Sequence, residues 1–316
     1  MATNSDLRRL RELWSGFRQA RVLLTANNYR VFDHLTKPLT ARALSERLNT
    51  DLRATEILLD CLAGMGLIKK KGKSYQNSPI ASKFLVSRSP YYQGNIIKHA
   101  DTLWKNWSGL DEVMKTGRPY RVALDHRAFI LGMHDIAKLR AKEVVGFIDL
   151  RGVKRLLDLG GGPGTYAMEF ARRGLNVTLF DYPETVKIAR ELTEKAGVKI
   201  NFIEGDFLSD SFGNGYDLIF ISQVLHAYSE ENNLLLIKKC RESLNKKGRI
   251  VIQEFSISSD RTSPLNSALF SVNMLVNTEG GRCYTPQEMI TWLKRAGMKG
   301  FKKGLIDDSV IIEAIK

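Results

Sequence analysis

Asp158-Leu159-Gly160-Gly161-Gly162-Pro163-Gly164 stands where a short apolar run gives way to a helix from Thr165. Glycines at such a junction permit a tight turn and let a ligand approach the backbone closely. The N–H groups that open the helix favour a negative group there. The stretch Gly162-x-Gly164-x-x-Ala167 also satisfies the dinucleotide pattern GxGxx(G/A), so the loop alone leaves a nicotinamide cofactor open. Three acids and a ring add to it. Asp158 lies two residues before the first glycine. Asp181 ends the second apolar run, where a carboxylate can hold both hydroxyls of a ribose. Gly205-Asp206-Phe207 follows the third run and offers an acid for an adenine amino group and a ring to cover the base. Taken singly, each acid also reads as a loop cap or a solvated residue.

A glycine turn needs a rigid frame. From residue 151 the chain alternates apolar runs and helical stretches. Strands are expected at 154–158, 176–180, 199–203, 216–221 and 249–253, with two more at 301–306 and 309–314. Continuous apolar strands separated by helices predict an α/β fold with a parallel sheet covered on both faces. Ligands of such sheets bind beyond the carboxyl ends of the strands, where the turn and the acids fall.

The first third is patterned differently. Leu7, Leu10, Trp14, Phe17, Ala20 and Leu24 recur at helical spacing, with arginines between them. A short helix is expected over 40–48, with Ala43 and Leu44 inward. A second follows, capped by Thr50, with Ala54, Ile57, Leu58, Cys61, Leu62 and Met65 on one face and Gly66 as its stop. LIKKKGKSYQNS then reads as a hairpin around Lys71-Gly72-Lys73. Helix, helix, hairpin is a winged-helix pattern. Residues 79–150 read as helical, with breaks near Pro79, Pro90 and Gly117–Pro119. Domains are therefore expected at 1–100 and 101–316, the second entered through a helical connector over 101–150.

Taken together, the glycine turn, Asp181 and Asp206-Phe207 resemble class I S-adenosylmethionine-dependent methyltransferases, whose cofactor carries a carboxylate, an ammonium and a sulfonium. Downstream, Ser222-Gln223-Val224-Leu225-His226-Ala227-Tyr228-Ser229-Glu230-Glu231 resembles the LHDWSDE stretch of small-molecule O-methyltransferases of the caffeic-acid and hydroxyindole type. The strand ending in Glu254 and the run Asn277–Thr285 resemble that family's other two motifs. The resemblance implies a seven-stranded Rossmann-like methyltransferase sheet and an N-terminal winged-helix domain that serves homodimerisation. It implies S-adenosylmethionine held by Asp158, Gly160, Gly162, Gly164, Asp181, Asp206, Phe207, Ser222 and Gln223, and no metal. It gives His226 the role of general base and Glu254 that of its orienting acid. A phenol has a pKa near 10, and a neutral imidazole can take its proton as the new C–O bond forms. The resemblance draws the acceptor pocket from Phe129, Met133 and His134 and from Met274 and Asn277. Plain core packing explains each of these five as well. Two departures stand out. The family's second acid falls on Cys283, and its Asp-Trp after the histidine is Ala227-Tyr228. They leave room for C-methylation or for chemistry other than methyl transfer.

Composition narrows the classes. With 316 residues, 43% hydrophobic and 26% charged, the chain is neither disordered nor collagen-like nor a coiled coil. No apolar run approaches the roughly 18 residues of a membrane span. Cys61, Cys240 and Cys283 are far apart and read as reduced thiols. Without an apolar signal core at the N-terminus, a cytoplasmic protein is expected. Net charge is +14, and residues 1–90 carry +9 of it. This basic first third keeps open a DNA-binding regulator with Lys69, Lys70, Lys71 and Lys73 as its wing. Against it, the second helix offers mainly Arg53 where several polar base readers are expected, so no nucleic-acid partner is expected. The expected partners are a hydroxylated small molecule and a second copy of the chain.

Overall fold

The computed structural model describes residues 4–316; Met1–Thr3, the head of the expected first domain, lie outside it. The chain forms two compact units, one ending at Thr102 and the other running Leu103–Lys316.

The first unit holds α1 (Asn4–Ser15), α2 (Phe17–Asn28), α3 (Val31–His34), β1 (Leu39–Thr40), α4 (Ala41–Leu48), α5 (Leu52–Gly64), β2 (Ile68–Lys71), β3 (Ser74–Asn77) and α6 (Pro79–Phe84), and α7 (Gly94–Trp107) crosses the division. Helices α4 and α5 and the β2–β3 hairpin give the expected pattern, and β1 adds a third strand beside β3. Phe32, Leu35, Leu44, Leu59, Leu62 and Tyr75 form the core.

Three local expectations are corrected. The long N-terminal helix is interrupted at Gly16, and of its apolar stripe only Leu24 is buried. Helix α5 is capped by Asp51, whose carboxylate accepts the Ala54 N–H at 2.7 Å. Its neighbour Thr50 pairs with the Thr55 hydroxyl instead. The buried face of α5 is Thr55, Leu59 and Leu62, so Ala54, Ile57 and Cys61 are turned outward. For the α1–α2 stripe and the α5 face, an apolar stripe marks a surface to be covered, and spacing alone does not say whether the cover comes from the same chain.

The second unit adds α8 (Leu110–Thr116) and α9 (His126–Phe147) before the sheet begins. Then follow β4 (Arg155–Leu159), α10 (Thr165–Arg172), β5 (Asn176–Asp181), α11 (Pro183–Lys195), β6 (Asn201–Glu204), β7 (Tyr216–Ser222), α12 (Glu230–Ser243), β8 (Leu244–Phe255), α13 (Leu265–Asn277), α14 (Pro286–Arg295), β9 (Lys299–Ile306) and β10 (Ser309–Ile315). The seven strands lie in the order β6-β5-β4-β7-β8-β10-β9. Only β10 runs against the others, so the seven-stranded sheet is mostly parallel, as expected. Alternate residues serve opposite faces. Leu157, Ile219, Ile221, Ile250 and Ile252 pack with α12 and α14 around Trp292. Leu156, Leu218, Phe220 and Val251 pack with α9, α10 and α11 around Phe170. Strand order reverses between β4 and β7, which opens a crevice at their carboxyl ends. Among the described residues, no helix is long and apolar enough to cross a membrane.

Asn106 ties the segment before α9 in place. Its amide N–H groups reach Asn277 Oδ1 and the Ala123 carbonyl, and its own oxygen accepts the N–H groups of Val122 and Ala123.

Candidate active site

The glycine turn leaves β4 at Leu159. Gly160 has φ +70° and donates its N–H to the Phe180 carbonyl at 2.9 Å. A Cβ there would lie 2.4 Å from Val224, so this position needs glycine for conformation and for space. Gly162 and Gly164 are left-handed as well, and α10 starts directly after them.

Asp158 is buried beneath this turn. A Cβ on Gly161 would come within 2.9 Å of its Oδ2, and that oxygen has no hydrogen-bond partner. Burial first, then the nearby Asp181 charge, push the Asp158 carboxyl up to about 7. Asp181 sits at the end of β5. It accepts the N–H of Gly162 and that of Tyr182, each at 2.8 Å. Burial still raises its pKa over those hydrogen bonds.

Asp206 and Phe207 occupy the loop after β6. Burial would raise Asp206, but hydrogen bonds from Ser209, Leu208 and Tyr182 outweigh it and hold the carboxyl below its usual range. Phe207 packs edge-on against Phe180 and Tyr182 and tilts toward Tyr228. The Tyr182 hydroxyl donates to Asp206 Oδ2 at 3.2 Å, so the Tyr228 hydroxyl, also 3.2 Å away, donates to Tyr182. Tyr182 carried no signal in the sequence, and Tyr228 stood out only as the residue in place of the motif's tryptophan.

At the end of β7, Ser222 donates its hydroxyl to Gln253 Oε1 at 2.9 Å. Gln223 adopts φ +59° and donates its N–H to the Gln253 carbonyl. A left-handed non-glycine residue at a strand end is strained, and such strain gathers at functional turns. That turn delivers a short 3-10 helix, Leu225–Ala227, carrying His226.

His226 Nδ1 lies 2.9 Å from Glu254 Oε2, and the His226 backbone N–H also reaches Glu254 Oε1, at 3.3 Å. Glu254 is 3% exposed. A carboxylate only accepts, so in the neutral ring this pairing puts the proton on Nδ1 and leaves Nε2 its lone pair. The rings of Phe270 and Phe255 flank the imidazole at 4.9 and 5.8 Å between centroids. Phe270 comes from α13 and had no local signal. Cys283 is buried near Glu254, and burial pushes its thiol up to about 11. It is neutral at physiological pH and supplies no second carboxylate.

These features meet at the carboxyl ends of the strands, and two sequence families match the chain. The O-methyltransferase domain family matches residues 96–299, and the O-methyltransferase dimerisation domain family matches residues 11–87. The chain belongs to the O-methyltransferase family. It is 30% identical over 305 residues to 3-hydroxy-5-methyl-1-naphthoate 3-O-methyltransferase of Streptomyces sahachiroi, covering 91% of this chain and 88% of that one. It is 30% identical over 336 residues to acetylserotonin O-methyltransferase of Macaca mulatta, covering 96% and 97%. The crystal structure of human N-acetylserotonin methyltransferase in complex with S-adenosylmethionine superposes with a TM-score of 0.90 at 27% identity, covering 100% and 99% of the two chains.

Within this O-methyltransferase, the five expected acceptor residues have different surroundings. His134 Nδ1 lies 2.8 Å from the Thr165 hydroxyl, and burial lowers its pKa. It ties α9 to the start of α10. Asn277 is bound to Asn106 and to the Asn273 side chain. Met274 is buried, Met133 is half-buried, and Phe129 is partly exposed with its ring tilted toward His126.

Gly281 explains why the Asn277–Thr285 run carries paired glycines. A Cβ there would stand 2.3 Å from the His226 carbonyl oxygen and 2.6 Å from Thr278 Oγ1. The His226 backbone would have to shift. Gly281→Ala is expected to lower kcat by about 10²-fold, since a displacement near 1 Å at a reacting group costs about that much. Affinity for S-adenosylhomocysteine should stay unchanged in a calorimetric titration. Loss of cofactor affinity with kcat intact would contradict this placement.

Proposed function

We propose that this protein transfers the methyl group of S-adenosylmethionine to a hydroxyl of a small aromatic or polycyclic acceptor, with His226 as general base, and that it works as a homodimer. The observation that carries the reading is the His226–Glu254 pair, with Nδ1 held by a buried carboxylate and Nε2 left as acceptor.

The residues fit the cofactor on an independent observation. Asp158 Oδ2, buried and unpartnered, suits an ammonium group beside the glycine turn. The N–H groups at the start of α10 suit a carboxylate. Asp181 suits a ribose, and Asp206 with Phe207 suits an adenine. When bound, S-adenosylmethionine supplies an electrophilic methyl group on a sulfonium.

The chain's own part is orientation and proton transfer. His226 Nε2 takes the proton of the acceptor hydroxyl as its oxygen becomes nucleophilic. Glu254 keeps the required tautomer and stabilises the imidazolium that forms. Phe255 and Phe270 offer apolar faces to an aromatic acceptor and exclude water around the imidazole. Relatives named for a naphthoate and for acetylserotonin support an aromatic acceptor. The matched dimerisation domain supports the homodimer, as does α1, which buries none of its residues and exposes Leu7, Leu10 and Trp14.

The test is an incubation of the purified protein with methyl-labelled S-adenosylmethionine and pooled hydroxylated aromatics. Label is expected on an acceptor oxygen. Label on carbon, or an acceptor changed without label while the cofactor is bound, would overturn the O-methylation.

A further inference from the structure

We propose that Lys239 is a positioning residue that holds the loop carrying Asp206 and Phe207 in register for the adenine half of the cofactor; the proposal rests on the methyltransferase reading above. The loop runs from Gly205 to Gly215 between β6 and β7, without a helix or strand of its own. A loop of this kind holds a ligand only as well as it is itself held.

Three of its backbone carbonyls converge on one point. Lys239 Nζ lies 2.8 Å from the oxygen of Phe207, 2.9 Å from that of Leu208 and 2.9 Å from that of Asp210. An ammonium has three N–H donors, and each has one of these acceptors. The same nitrogen stands 5.1 Å from the centroid of Phe212, within the range of a cation–π contact. Remove the ammonium, and three carbonyl dipoles point at one another with no donor between them. The loop then has reason to open, taking with it the two residues that face the adenine.

The other fastenings of the loop are internal, come from the strands, or pass through the side chains of Tyr182 and Tyr228. Asp210 accepts the Asp206 N–H, Asp206 accepts from Leu208 and Ser209, and Phe207 and Phe212 lean on Phe180. Only the side chains of Tyr182 and Tyr228 refer the loop to the catalytic turn, and they touch the loop's side chains; Lys239 fixes its backbone, through α12. On that same helix Asn233 donates to the carbonyls of Leu225 and Tyr228, which bracket His226. One helix thus grips the turn that carries the base and the loop that carries the adenine contacts. Their separation is set by two residues six apart on α12.

Lys239→Met keeps the length and the apolar stem and removes the donors. Calorimetric titrations compare S-adenosylhomocysteine with its N6-methyl-adenine analogue on wild type and variant. The variant is expected to bind S-adenosylhomocysteine about tenfold more weakly, the scale of one lost charge-assisted contact. Its preference for the unmethylated adenine should collapse. In steady state, KM for S-adenosylmethionine should rise with kcat nearly kept. A merely structural lysine would lower thermal stability without touching adenine discrimination. Lys239→Arg, whose planar fork fits three converging carbonyls poorly, should fall between the two, and it reads the same ratio if the methionine variant does not fold. Unchanged discrimination in a folded variant would overturn the positioning role. Failure of wild type to bind S-adenosylhomocysteine at all would overturn the methyltransferase reading, and this proposal with it.

Discussion

His226→Ala is expected to lower kcat by about 10²–10⁴-fold on a phenolic acceptor, with affinity for S-adenosylmethionine unchanged. The magnitude is that of one general base. A phenol with a pKa near 10 is almost wholly un-ionised at neutral pH, so its oxygen is a poor nucleophile until the proton leaves. In the structure only Nε2 of His226 is free to take it, since Nδ1 faces the buried Glu254 carboxylate at 2.9 Å. Glu254→Gln sharpens the test. An amide that turns its NH2 toward Nδ1 forces the ring proton onto Nε2, and the base then holds the wrong tautomer. The two variants should therefore fail together on un-ionised phenols and both recover on acceptors acidic enough to be ionised already. Single-turnover rates across a series of phenols of falling pKa measure this directly. A variant rate that tracks wild type along the whole series would remove His226 from the proton transfer.

The parts that could be read in the sequence share one property: a short stretch of chain decides them. The strands over 154–158, 176–180 and 216–221 lie within a residue of β4, β5 and β7, because a strand covered on both faces is an unbroken apolar run. Strand β8 starts earlier than expected, at Leu244, because residues 245–248 form an irregularity between the pairs Leu244–Tyr216 and Arg249–Leu218, and the exposed Asn245, Lys246 and Lys247 there leave no apolar signal. Asp158, Asp181 and Asp206 could be picked out because carboxyl ends of neighbouring parallel strands converge on one edge. What stayed hidden depends on distant segments meeting. Phe270 reaches the imidazole from α13, Lys239 reaches the loop after β6 from α12, and Tyr182 meets Tyr228 across 46 residues. His134 shows the converse. Its place on α9 fits a pocket residue, yet the ring is bound to Thr165. Direction around a helix is set by the neighbour it packs on, and for α1, α2 and α5 the apolar stripe did not point to that neighbour.

The second large effect concerns Asp158 and pH. Burial beside Asp181 lifts its carboxyl from 3.8 to about 7 in the folded protein. The folded state therefore binds this proton more tightly than the unfolded chain does. Linkage then runs opposite to that of an ion-paired acid: the free protein loses stability as pH rises from about 4 toward about 7, where the buried group becomes charged with only the Ala167 N–H to offset its burial. A bound ammonium reverses the preference, because it favours the carboxylate. Binding of S-adenosylmethionine below pH 7 must then expel a proton. Its affinity should climb about tenfold per pH unit between pH 5.5 and 6.5 and flatten near 7. Above about pH 8 it should fall again as the cofactor's own amino group loses its charge. Asp158→Asn should erase the acidic limb and weaken binding at pH 7 by about 10²-fold or more, the scale of breaking a buried charge pair. The same variant should unfold at a higher temperature than wild type when both are free and above pH 7, since its amide buries no charge. Titrations across pH in buffers of different ionisation enthalpy count the expelled proton. An acidic limb that persists in Asp158→Asn would assign the proton to another group, with Asp181, its nearest buried neighbour, as the next candidate.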